Sequence, residues 1–552
     1  MPETEEPSAL DVGGPSKTPR IAASSLVAAG IFLSRIAGLI RDRVLAGYFG
    51  TSLYADVVRA GLRMPNLLQN LLGEGTLSAS FIPVYSELLE QGRRKEAGRV
   101  AGAIFALLFA LAGGLALLGV LFAPQLTDFF LPGFEGEQRA LTIRITRIIF
   151  PMTGVLVLSA WALGILNSHR HFFVSYVAPV FWNGAIIGTL LIFGGRMDAP
   201  SLVVAFAWGA LLGGILQFGI QLPWVIRLDR SLRVSWNTRM EPVREAARNA
   251  GPAILGRGVV QLSGYVDMVL ASFLVTGSFA IMSFAITLYV LPISLFGMSV
   301  AAAELPELSR QRSGSPEALR LRTNAALQRI AFYIVPSFVA IVLLGDALVA
   351  ALYQTGEFDR IDTLLVYLTL VGFSIGLLAS TATRLFSSTF FALHDTATPA
   401  RTAAVRVAAA AILGFLLMIQ FEAVEIFGME FGPGIFADIR LAGQPLGVVG
   451  LAVGAGVAAW MEWWFLRRAL ARRIGTVGAS AGPLARMFAA ALAAAAAGWG
   501  VRWILPEIHP IPAAVFIFMA FGAVYFGSAA ALGLKEMEGL VTRINNIRGR
   551  RR

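Results

Sequence analysis

Apolar runs of roughly 20 residues recur along this chain from residue 21 to residue 533, and they limit its fold more than any other feature. A helix of about 20 apolar residues crosses the hydrocarbon core of a bilayer. The fourteen runs that we identify lie at residues 21–45, 53–81, 99–123, 140–166, 173–194, 200–225, 246–274, 279–303, 324–353, 362–392, 402–420, 446–466, 486–505 and 511–533. Hydrophobic residues make up 56% of the 552 residues and charged residues only 14%, an apolar excess that soluble globular proteins do not show. The chain is therefore predicted to be an all-α, polytopic membrane protein.

Basic residues are concentrated in alternate connections between the predicted spans. These connections lie near residues 93–99, 227–248, 310–322 and 467–473, and the C-terminal tail is also basic. The intervening connections are short or acidic, as at Glu357. Because an excess of Lys and Arg marks the cytoplasmic side of a membrane protein, we expect both termini to be cytoplasmic. The net charge of +11 is then explained by topology, and no nucleic acid partner is expected.

Charged residues also occur inside the predicted spans. The run SRIAGLIRDRVLAGYFG, residues 34–50, lies at the far end of the first span, and the second span is charged as well. An ionised side chain at membrane depth costs roughly 2.5–3.5 kcal/mol and usually marks a substrate or ion path. The charges in these two spans are Arg35, Arg41, Asp42, Arg43, Asp56, Arg59, Arg63 and Glu74. They predict a polar cavity, and the excess of guanidinium groups indicates an anionic occupant.

The chain partly repeats itself at an offset of about 225 residues. The matched positions are residues 33–35 with 255–257, Asp42 with Asp267, and Pro83 with Pro306. Six spans separate the two copies, and because six is an even number the copies have the same orientation in the membrane. Parallel repeats of this kind form two lobes with the substrate site between them, and transport proceeds by rocking of the lobes.

The repeat defines the expected domain organisation. The first segment is polar and lacks the basic and apolar regions of a signal peptide, so we expect a disordered tail. In chain order, the segments are a cytoplasmic tail (1–20), an N-lobe of spans 1–6 (21–226), a basic cytoplasmic linker (227–245), a C-lobe of spans 7–12 (246–473), spans 13 and 14 (474–533) and a basic cytoplasmic tail (534–552). The near absence of polar groups in spans 13 and 14 favours a groove for a lipid tail, although plain helix packing explains it equally well.

Several segments of the chain resemble one known family. The run at residues 34–50 is followed by ADVVRAGLRMPNLLQNLLGEGTLSASFIPVYSE at residues 55–87. Further matching segments are GILNSH (164–169), GPAILG (251–256), LPELSR (305–310), LYQTGEFD (352–359) and FFALHDTATP (390–399). Together they resemble the MurJ (MviN) flippases of the multidrug/oligosaccharidyl-lipid/polysaccharide exporter superfamily, over roughly residues 21–475.

The resemblance implies a transporter, not an enzyme. It would move lipid II, the undecaprenyl-pyrophosphate-linked precursor of peptidoglycan, from the cytoplasmic to the outer leaflet of the bacterial cytoplasmic (inner) membrane by alternating access. The chain shows no phosphate-binding loop or nucleophile motif, so we expect no cofactor or metal, and the membrane potential or an ion gradient as the driving force. Membrane lipids and peptidoglycan synthases are the other candidate partners, and a monomer is expected.

Site residues are also implied by the resemblance. The candidate substrate-binding residues are Arg35, Arg41, Asp42, Asp56, Arg63, Asn66, Glu74 and Arg257. Gln69 and Thr287 stand where better-known members have arginines. Arg257, the repeat equivalent of Arg35, is predicted to supply the missing second-lobe charge. Asp267 is a candidate for ion coupling, but the eleventh span contains no Asn or Asp to complete the sodium site of some members.

Structural alternatives remain for these charges, and functional alternatives for the chain. The first-lobe arginines could snorkel to the interface or pair with neighbouring acids, and Arg257 could pair with Glu304. The chain could instead flip another polyprenyl-linked glycan, export drugs, or act as a non-transporting scaffold in envelope assembly. A drug exporter for cations would be expected to show an excess of acids in the membrane, whereas the first lobe shows the reverse. A polyprenyl-phosphate transferase is disfavoured because no clustered aspartates are present to hold magnesium.

Overall fold

The computed structural model describes residues 20–537 except 299, 301–303, 305–314, 427 and 507, and the side chains of residues 20–28, 67, 253 and 255–263 lie outside this description. Its helices are α1 (Arg20–Phe49), α2 (Leu53–Leu72), α3 (Glu74–Glu90), α4 (Arg94–Leu121), α5 (Ala123–Phe130), α6 (Gly136–Ser168), α7 (Phe172–Phe193), α8 (Ala199–Leu228), α9 (Glu241–Ser272), α10 (Ser278–Pro292), α11 (Pro316–Tyr353), α12 (Arg360–Ser374), α13 (Leu377–Ala392), α14 (Ala397–Phe421), α15 (Gly447–Ile474), α16 (Ala481–Ile504) and α17 (Pro510–Ala531). A π-helical turn, Ile293–Gly297, continues α10.

Within the described residues, each of the fourteen predicted runs falls on one of these helices or on a pair of them. Ten described helices are long and apolar enough to cross a membrane, and α12 with α13, bent by 44°, forms an eleventh such span. The other three predicted spans, α1, α2 with α3, and α9, are those that carry several charged residues. The prediction of an all-α polytopic membrane protein is confirmed.

The second predicted span is not one continuous helix. It breaks at Gly73, whose N–H donates to the carbonyl oxygen of Gln69 at 2.8 Å. A Cβ atom at position 73 would lie 2.2 Å from that same oxygen, so the tight turn requires glycine at this position. The break starts α3 at Glu74, outside the helix that carries Asp56 and Arg63.

A break between two helices lies at Asp395. Helix α13 ends at Ala392 and α14 begins at Ala397. Asp395 lies between them and accepts hydrogen bonds from the backbone N–H and the hydroxyl of Thr398, at 2.9 and 2.7 Å. Its carboxylate also pairs with Arg473 at the end of α15. These contacts hold the pKa of Asp395 below its usual value, the backbone hydrogen bond being the largest cause.

Two short hairpins lie between α14 and α15, in a connection that the sequence predicts to be a loop. In the first, β1 (Val424–Ile426) pairs antiparallel with β2 (Met429–Phe431), so that Val424 faces Phe431. In the second, β3 (Arg440–Leu441) pairs with β4 (Gln444–Pro445). These strands are too short and too polar to produce the alternating hydrophobic pattern that identifies a strand in a sequence.

The helices pack as two lobes with α9 between them. The first part of α9 packs on the first lobe, because Val243 and Ala246 belong to the same buried cluster as Phe81 of α3. The last part of α9 is buried with second-lobe residues, including Met418 of α14. Helix α9 therefore belongs to the boundary as much as to the C-lobe in which the sequence analysis places it.

Helices α16 and α17 pack on α11 through small residues. Ala490, Ala494 and Ala495 of α16 form a buried cluster with Phe521 of α17 and Phe332 of α11. Small side chains allow helix backbones to approach closely in a membrane, where van der Waals contact drives association. The close packing is consistent with the interpretation that the apolar residues of spans 13 and 14 serve helix packing. A lipid-tail groove in these spans stays a prediction.

Candidate functional site

The two lobes are joined at one end of the molecule by a carboxylate of the first lobe. Asp56, in the first turn of α2, accepts hydrogen bonds from the backbone N–H groups of Gly277 and Ala280, both at 2.7 Å. These N–H groups lie at the start of α10, where a helix has unpaired donors and favours a negative charge. Gln138 of α6 donates a third hydrogen bond to Asp56, at 3.0 Å. Asp56 is thus a cap that ties α2 to the second lobe.

Further contacts close the same end. The guanidinium of Arg43 donates to the carbonyl oxygens of Ala351 and Leu352 at the end of α11, at 2.7 and 3.2 Å, and the hydroxyl of Thr51 donates to Asp362. Gly277 has a φ of +95°, and a Cβ there would lie 2.0 Å from the carbonyl oxygen of Thr51. We call these contacts, made by residues 43, 51 and 56 with residues 277, 280, 351, 352 and 362, the inter-lobe seal.

Beyond the seal, a buried carboxylate is shared by two arginines of the first lobe. Asp42 is 3% exposed, and its Oδ1 lies 2.9 Å from Arg41 Nη2 and 3.1 Å from Arg59 Nη1. Arg41 lies over the ring of Trp182, and Arg59 lies 4.3 Å from the ring centroid of Phe284 on α10. Arg59 Nη2 is buried and has no hydrogen-bond partner among the described residues. One negative charge for two guanidinium groups leaves this group net positive.

Two more arginines extend this group along the lobe boundary. Arg35 is exposed, and its Nη1 lies 3.4 Å from the hydroxyl of Ser294 in the π-helical turn after α10. Arg63 Nη2 donates to the carbonyl oxygen of Gly264 on α9 at 3.1 Å. Both side chains therefore reach from the first lobe to helices on the other side of the boundary.

The second lobe contributes charges that neutralise one another more fully. Arg406 of α14 pairs with Glu462 of α15 at 3.1 Å. Asp267 of α9 interacts electrostatically with Arg63 and with Arg406, and Arg384 of α13 interacts with Arg406 and Glu462. Arg406 therefore links α9, α14 and α15.

The structure brings together five of the nine residues proposed from sequence. Arg35, Arg41, Asp42, Arg63 and Asp267 lie along the lobe boundary, as the contacts above show. The other predicted residues lie elsewhere or outside the described side chains: Asp56 is bound within the seal, Asn66 is partly buried on α2, Glu74 is exposed at the start of α3, and the side chain of Arg257 is not described.

The structure describes the contacts of Glu304 and Thr287, two residues that the sequence analysis connects with Arg257. Glu304, the alternative partner of Arg257, accepts hydrogen bonds from Arg322 and Arg329 at 2.8 and 2.7 Å. The hydroxyl of Thr287 donates to the carbonyl oxygen of Ser283 within α10. Position 287 thus holds a neutral hydroxyl that is bonded within its own helix. The carboxylate of Glu304 is already paired with two arginines, Arg322 and Arg329.

The candidate residues from the sequence do not include three arginines of the site, Arg59, Arg384 and Arg406. Arg59 was visible as a charge in the second span, but the residues that it contacts, Asp42 and Phe284, lie in two other helices. Arg406 lies inside the eleventh predicted span, which contains no Asn or Asp. A charged residue inside a membrane span usually marks a functional site, so its position alone would have made Arg406 a candidate.

In the boundary region, positive side chains outnumber negative ones, which favours binding of an anion. Among the side chains that the structure describes, they comprise six arginines (Arg35, Arg41, Arg59, Arg63, Arg384 and Arg406) and three carboxylates (Asp42, Asp267 and Glu462). Guanidinium groups bind phosphate oxygens through two parallel N–H donors, and they do so strongly where water is scarce. Among the described residues, no group of three or more His, Cys, Asp or Glu side chains is placed to hold a metal ion.

Comparisons with known proteins agree on one family. Residues 45–432 match the family model described as "Lipid II flippase MurJ". The chain is 31% identical to a "Probable lipid II flippase MurJ" of Rhizobium tropici, a match that covers 70% of this chain and 73% of that protein. It is 27% identical to the "Lipid II flippase MurJ" of Burkholderia cenocepacia over 91% of this chain and 95% of that protein.

Solved structures show the same fold. A structure titled "Lipid II flippase MurJ, inward closed conformation" matches with a TM-score of 0.71 and 21% identity, over 92% of this chain and 100% of that one. An inward-facing multidrug transporter of the MATE family and MOP superfamily matches with a TM-score of 0.61 and 19% identity, over 82% of this chain and 98% of that one.

Proposed function

Because this chain belongs to the lipid II flippase MurJ family, we propose that it carries lipid II from the cytoplasmic to the outer leaflet of the bacterial inner membrane by alternating access. The observation that carries this proposal is the excess of arginines at the boundary of two lobes that are joined at one end. On this proposal the chain acts as a monomer and delivers lipid II to peptidoglycan synthases on the outer face.

The chemistry of the substrate explains why these residues are needed. A diphosphate and a sugar-peptide headgroup are strongly disfavoured in hydrocarbon, whereas the polyprenyl chain prefers it. Arg41 and Arg59 hold one carboxylate between them, and Arg59 Nη2 has no hydrogen-bond partner within the described part of the chain. A diphosphate oxygen would satisfy this donor, and the surplus positive charge would offset part of the cost of removing the diphosphate from water.

Alternating access requires that the inter-lobe seal open. Opening would break the cap that Asp56 makes on α10 and the contacts of Arg43 with the end of α11. The seal follows α1, whose amino end we propose to be cytoplasmic, so it closes the outer side of the carrier. The described conformation is then the one in which the site is closed to the outer face.

This orientation can be tested by cysteine labelling, since the native chain contains no cysteine. Gly356 is an unsuitable position, because its φ is +54° and an added Cβ would lie 2.2 Å from the carbonyl oxygen of Gly47. Exposed Glu430 in the β1–β2 hairpin and exposed Lys95 in the first turn of α4 are better positions. Glu430→Cys should react with an impermeant maleimide in intact cells, and Lys95→Cys only after permeabilisation. The opposite pattern would invert the orientation.

The driving force that we propose is the membrane potential or an ion gradient. Arg406 of α14 pairs with Glu462 of α15, and its charge acts on Asp267 of α9, so a guanidinium already supplies positive charge to the acids of the spans where a bound sodium ion would be expected. One elementary charge moved across 100 mV is worth about 2.3 kcal/mol. In liposomes, an imposed potassium diffusion potential should change the flipping rate, whereas replacing sodium by choline should not.

The proposed function is tested by the identity of the lipid that depends on this protein. Depletion should cause lipid II to accumulate on the cytoplasmic side, and purified protein in liposomes should expose fluorescent lipid II to an external quencher. A glycan flippase of another specificity would leave lipid II distribution normal and accumulate a different polyprenyl-linked precursor. A scaffold would produce no flipping in liposomes.

A further inference from the structure

Two spans of the second lobe have an irregular backbone at the same depth. Helix α10 passes into the π-helical turn Ile293–Gly297 after Pro292, and α12 ends at a bend of 44° before α13. Both helices have 15 residues, so each irregular segment lies about 22 Å along its helix from a start at the seal. Sharp bends and π-helical turns interrupt the backbone hydrogen bonds of a helix, and they are frequent at functional sites.

These two helices share the seal and pack against each other. The start of α10 donates to Asp56, and Asp362 in the first turn of α12 accepts the hydroxyl of Thr51. Just before the irregular segments, the ring of Tyr289 of α10 lies against Phe373 of α12, with ring centroids 5.7 Å apart. The parts of both spans between the seal and the irregular backbone therefore form one packed pair.

A tryptophan of α15 bonds to the backbone at the bend between α12 and α13. Trp460 Nε1 donates to the carbonyl oxygen of Ile375 at 2.8 Å. In a continuous helix this oxygen would accept the N–H of Ala379, four residues on. The indole N–H thus acts as the partner that a backbone carbonyl needs where a helix bends. A single neutral hydrogen bond favours one form over another by about 2- to 12-fold, so it biases the bend without fixing it.

Small residues bring the bend close to α15. A Cβ atom at Gly376 would lie 2.9 Å from the Cα atom of Gly456, and one at Gly372 would lie 3.0 Å from the Cβ atom of Ala452. Small residues let helix backbones approach closely in a membrane. Because contacts of this kind involve little interdigitation of side chains, α12 can turn against α15 at this point with little repacking.

We propose that the two irregular segments form one hinge, on which α10 and α12 turn together when the seal opens. Trp460 is the positioning residue that favours the seal-closed bend. This role depends on the alternating access of the proposed function, and it assigns the movement to one part of the second lobe. A change of about 15° in the bend would move the seal end of α12 by about 6 Å, which is enough to break its hydrogen bond to the first lobe.

Distances measured by double electron–electron resonance between spin labels test whether α12 moves independently of α13. The labels are attached to pairs of introduced cysteines. Ile412 of α14 is the common reference, and Ile361 of α12 or Phe391 of α13 is the second position; these residues are 60%, 37% and 46% exposed. The seal is weakened by Asp56→Asn. We expect the Ile361–Ile412 distribution to gain a population shifted by about 5 Å or more, and the Phe391–Ile412 distribution to stay unchanged.

Replacing the tryptophan tests its role in the bend. Trp460→Phe keeps an aromatic ring and removes the N–H donor, so a cysteine at Thr51 should react with maleimide about 2- to 12-fold faster. Trp464→Phe is the matched control. Trp464 lies one turn further along α15, is 50% exposed and has no hydrogen bond from its indole among the described residues. A general loss of stability would raise labelling in both variants, whereas loss of the hydrogen bond raises it only in Trp460→Phe.

The outcomes separate the hinge from the proposed function. Equal shifts at Ile361 and Phe391 would mean that the span moves as one body, and this would overturn the hinge. An unchanged Ile361 distance in a sample whose Thr51 labelling has risen would also overturn it, because the lobe would then rock as a rigid unit. Equal labelling rates in Trp460→Phe and Trp464→Phe would end the role of Trp460. None of these measurements uses lipid II, so an Ile361 shift in a protein whose native form does not flip fluorescent lipid II supports the hinge and contradicts the proposed function.

Discussion

The charges of the two lobes differ in how completely they are neutralised. In the first lobe, Asp42 is shared by Arg41 and Arg59, and Arg63 has only a carbonyl partner among the described hydrogen bonds. In the second lobe, Arg406 has its own carboxylate in Glu462, and Asp267 on α9 interacts with both Arg63 and Arg406. A partial sequence repeat has therefore produced two chemically different halves.

This difference indicates a division of roles. Unneutralised guanidinium groups in the first lobe are free to bind phosphate oxygens, whereas the paired arginine of the second lobe mainly connects helices. A buried pair resists the loss of one partner because the other charge is left without compensation. Substitutions in the first lobe should therefore affect substrate handling, and those in the second lobe should affect helix association.

The largest effect is expected at Arg35 and Arg41. Arg41→Ala removes a guanidinium donor for the diphosphate, and hydrogen bonds to charged groups contribute about 1.5–3 kcal/mol, so the flipping rate should fall roughly 10- to 100-fold. Arg35→Ala should act in the same direction. Arg41→Lys keeps the charge but not the two parallel donors, so it should recover only part of the rate. Normal complementation by the Arg35→Ala/Arg41→Ala double variant at normal protein levels would refute the proposal that first-lobe arginines bind the substrate.

The next effect is expected at the inter-lobe seal. Asp56→Asn removes the charge that caps α10 and should weaken the two inter-lobe hydrogen bonds, so the open state should gain population by roughly tenfold. A cysteine at Thr51 reports on the opening through its rate of maleimide labelling; it is present in the reference protein and in each variant, so the loss of its own contact with Asp362 is common to all of them.

Gln138→Leu is the matched control for the seal. It removes the hydrogen bond that Asp56 receives from its own lobe and leaves the inter-lobe ones, so labelling at position 51 should change much less. Equal labelling rates in the two variants would show that the Asp56 cap does not hold the lobes together.

A smaller effect is expected for the second-lobe pair. Arg406 is 33% exposed at the side chain and Glu462 8% exposed, so the coupling energy between them should be about 1 kcal/mol. It is measured by a double-mutant cycle on the unfolding of Arg406→Gln, Glu462→Gln and the double variant in detergent. The single variants should lower stability more than they lower the flipping rate of the folded fraction. A loss of flipping as large as that of Arg41→Ala, in a stable Arg406→Gln protein, would make the two lobes equivalent.

The smallest effect is expected at Glu422, beyond the end of α14. Its Oε1 accepts the backbone N–H of Val275 at 2.6 Å, two residues before Gly277 of the seal, so Glu422 and Asp56 hold the same turn from opposite lobes. Burial raises the pKa of Glu422 to about 7. The folded state then binds more protons than the unfolded state between about pH 4.5 and 7, so stability should fall as pH rises through this window.

Thermal unfolding tests this dependence. The unfolding temperature should decrease by a few degrees at most between pH 5 and pH 8, and the slope should be smaller in Glu422→Gln. A stability that rises with pH only in the native protein would contradict a neutral Glu422 in the folded state.

The sequence was sufficient for the helices and for part of the site. A span is recognised from the summed hydropathy of about 20 neighbouring residues, so all fourteen runs fall on described helices despite the charges in α1, α2 and α9. Arg35, Arg41, Asp42 and Arg63 were identified because a charge inside an apolar run is unusual wherever its partners lie.

Other features depended on geometry that no local pattern contains. The break at Gly73 depends on a backbone approach of 2.2 Å, and the hairpins between residues 424 and 445 lie in a polar loop without a periodic signal. Asp56 was proposed for substrate, yet its oxygens are bonded to Gln138 and to the start of α10. The partners of Arg406 lie on helices that are distant in the sequence.

By itself, the sequence determined that this chain crosses a membrane many times, that its first lobe carries an excess of arginines, and that it resembles the flippase family. These properties follow from the composition and from the order of neighbouring residues, so they can be read from short segments of the chain. Only the tertiary structure decided which carboxylate neutralises which arginine: Asp42 pairs with two of them, Asp56 pairs with none of the described arginines and caps α10, and Glu462 pairs with Arg406. The reason is physical, since the interaction of two charges in a medium of low dielectric constant depends on ångström-scale distances between helices, and those distances are set by packing.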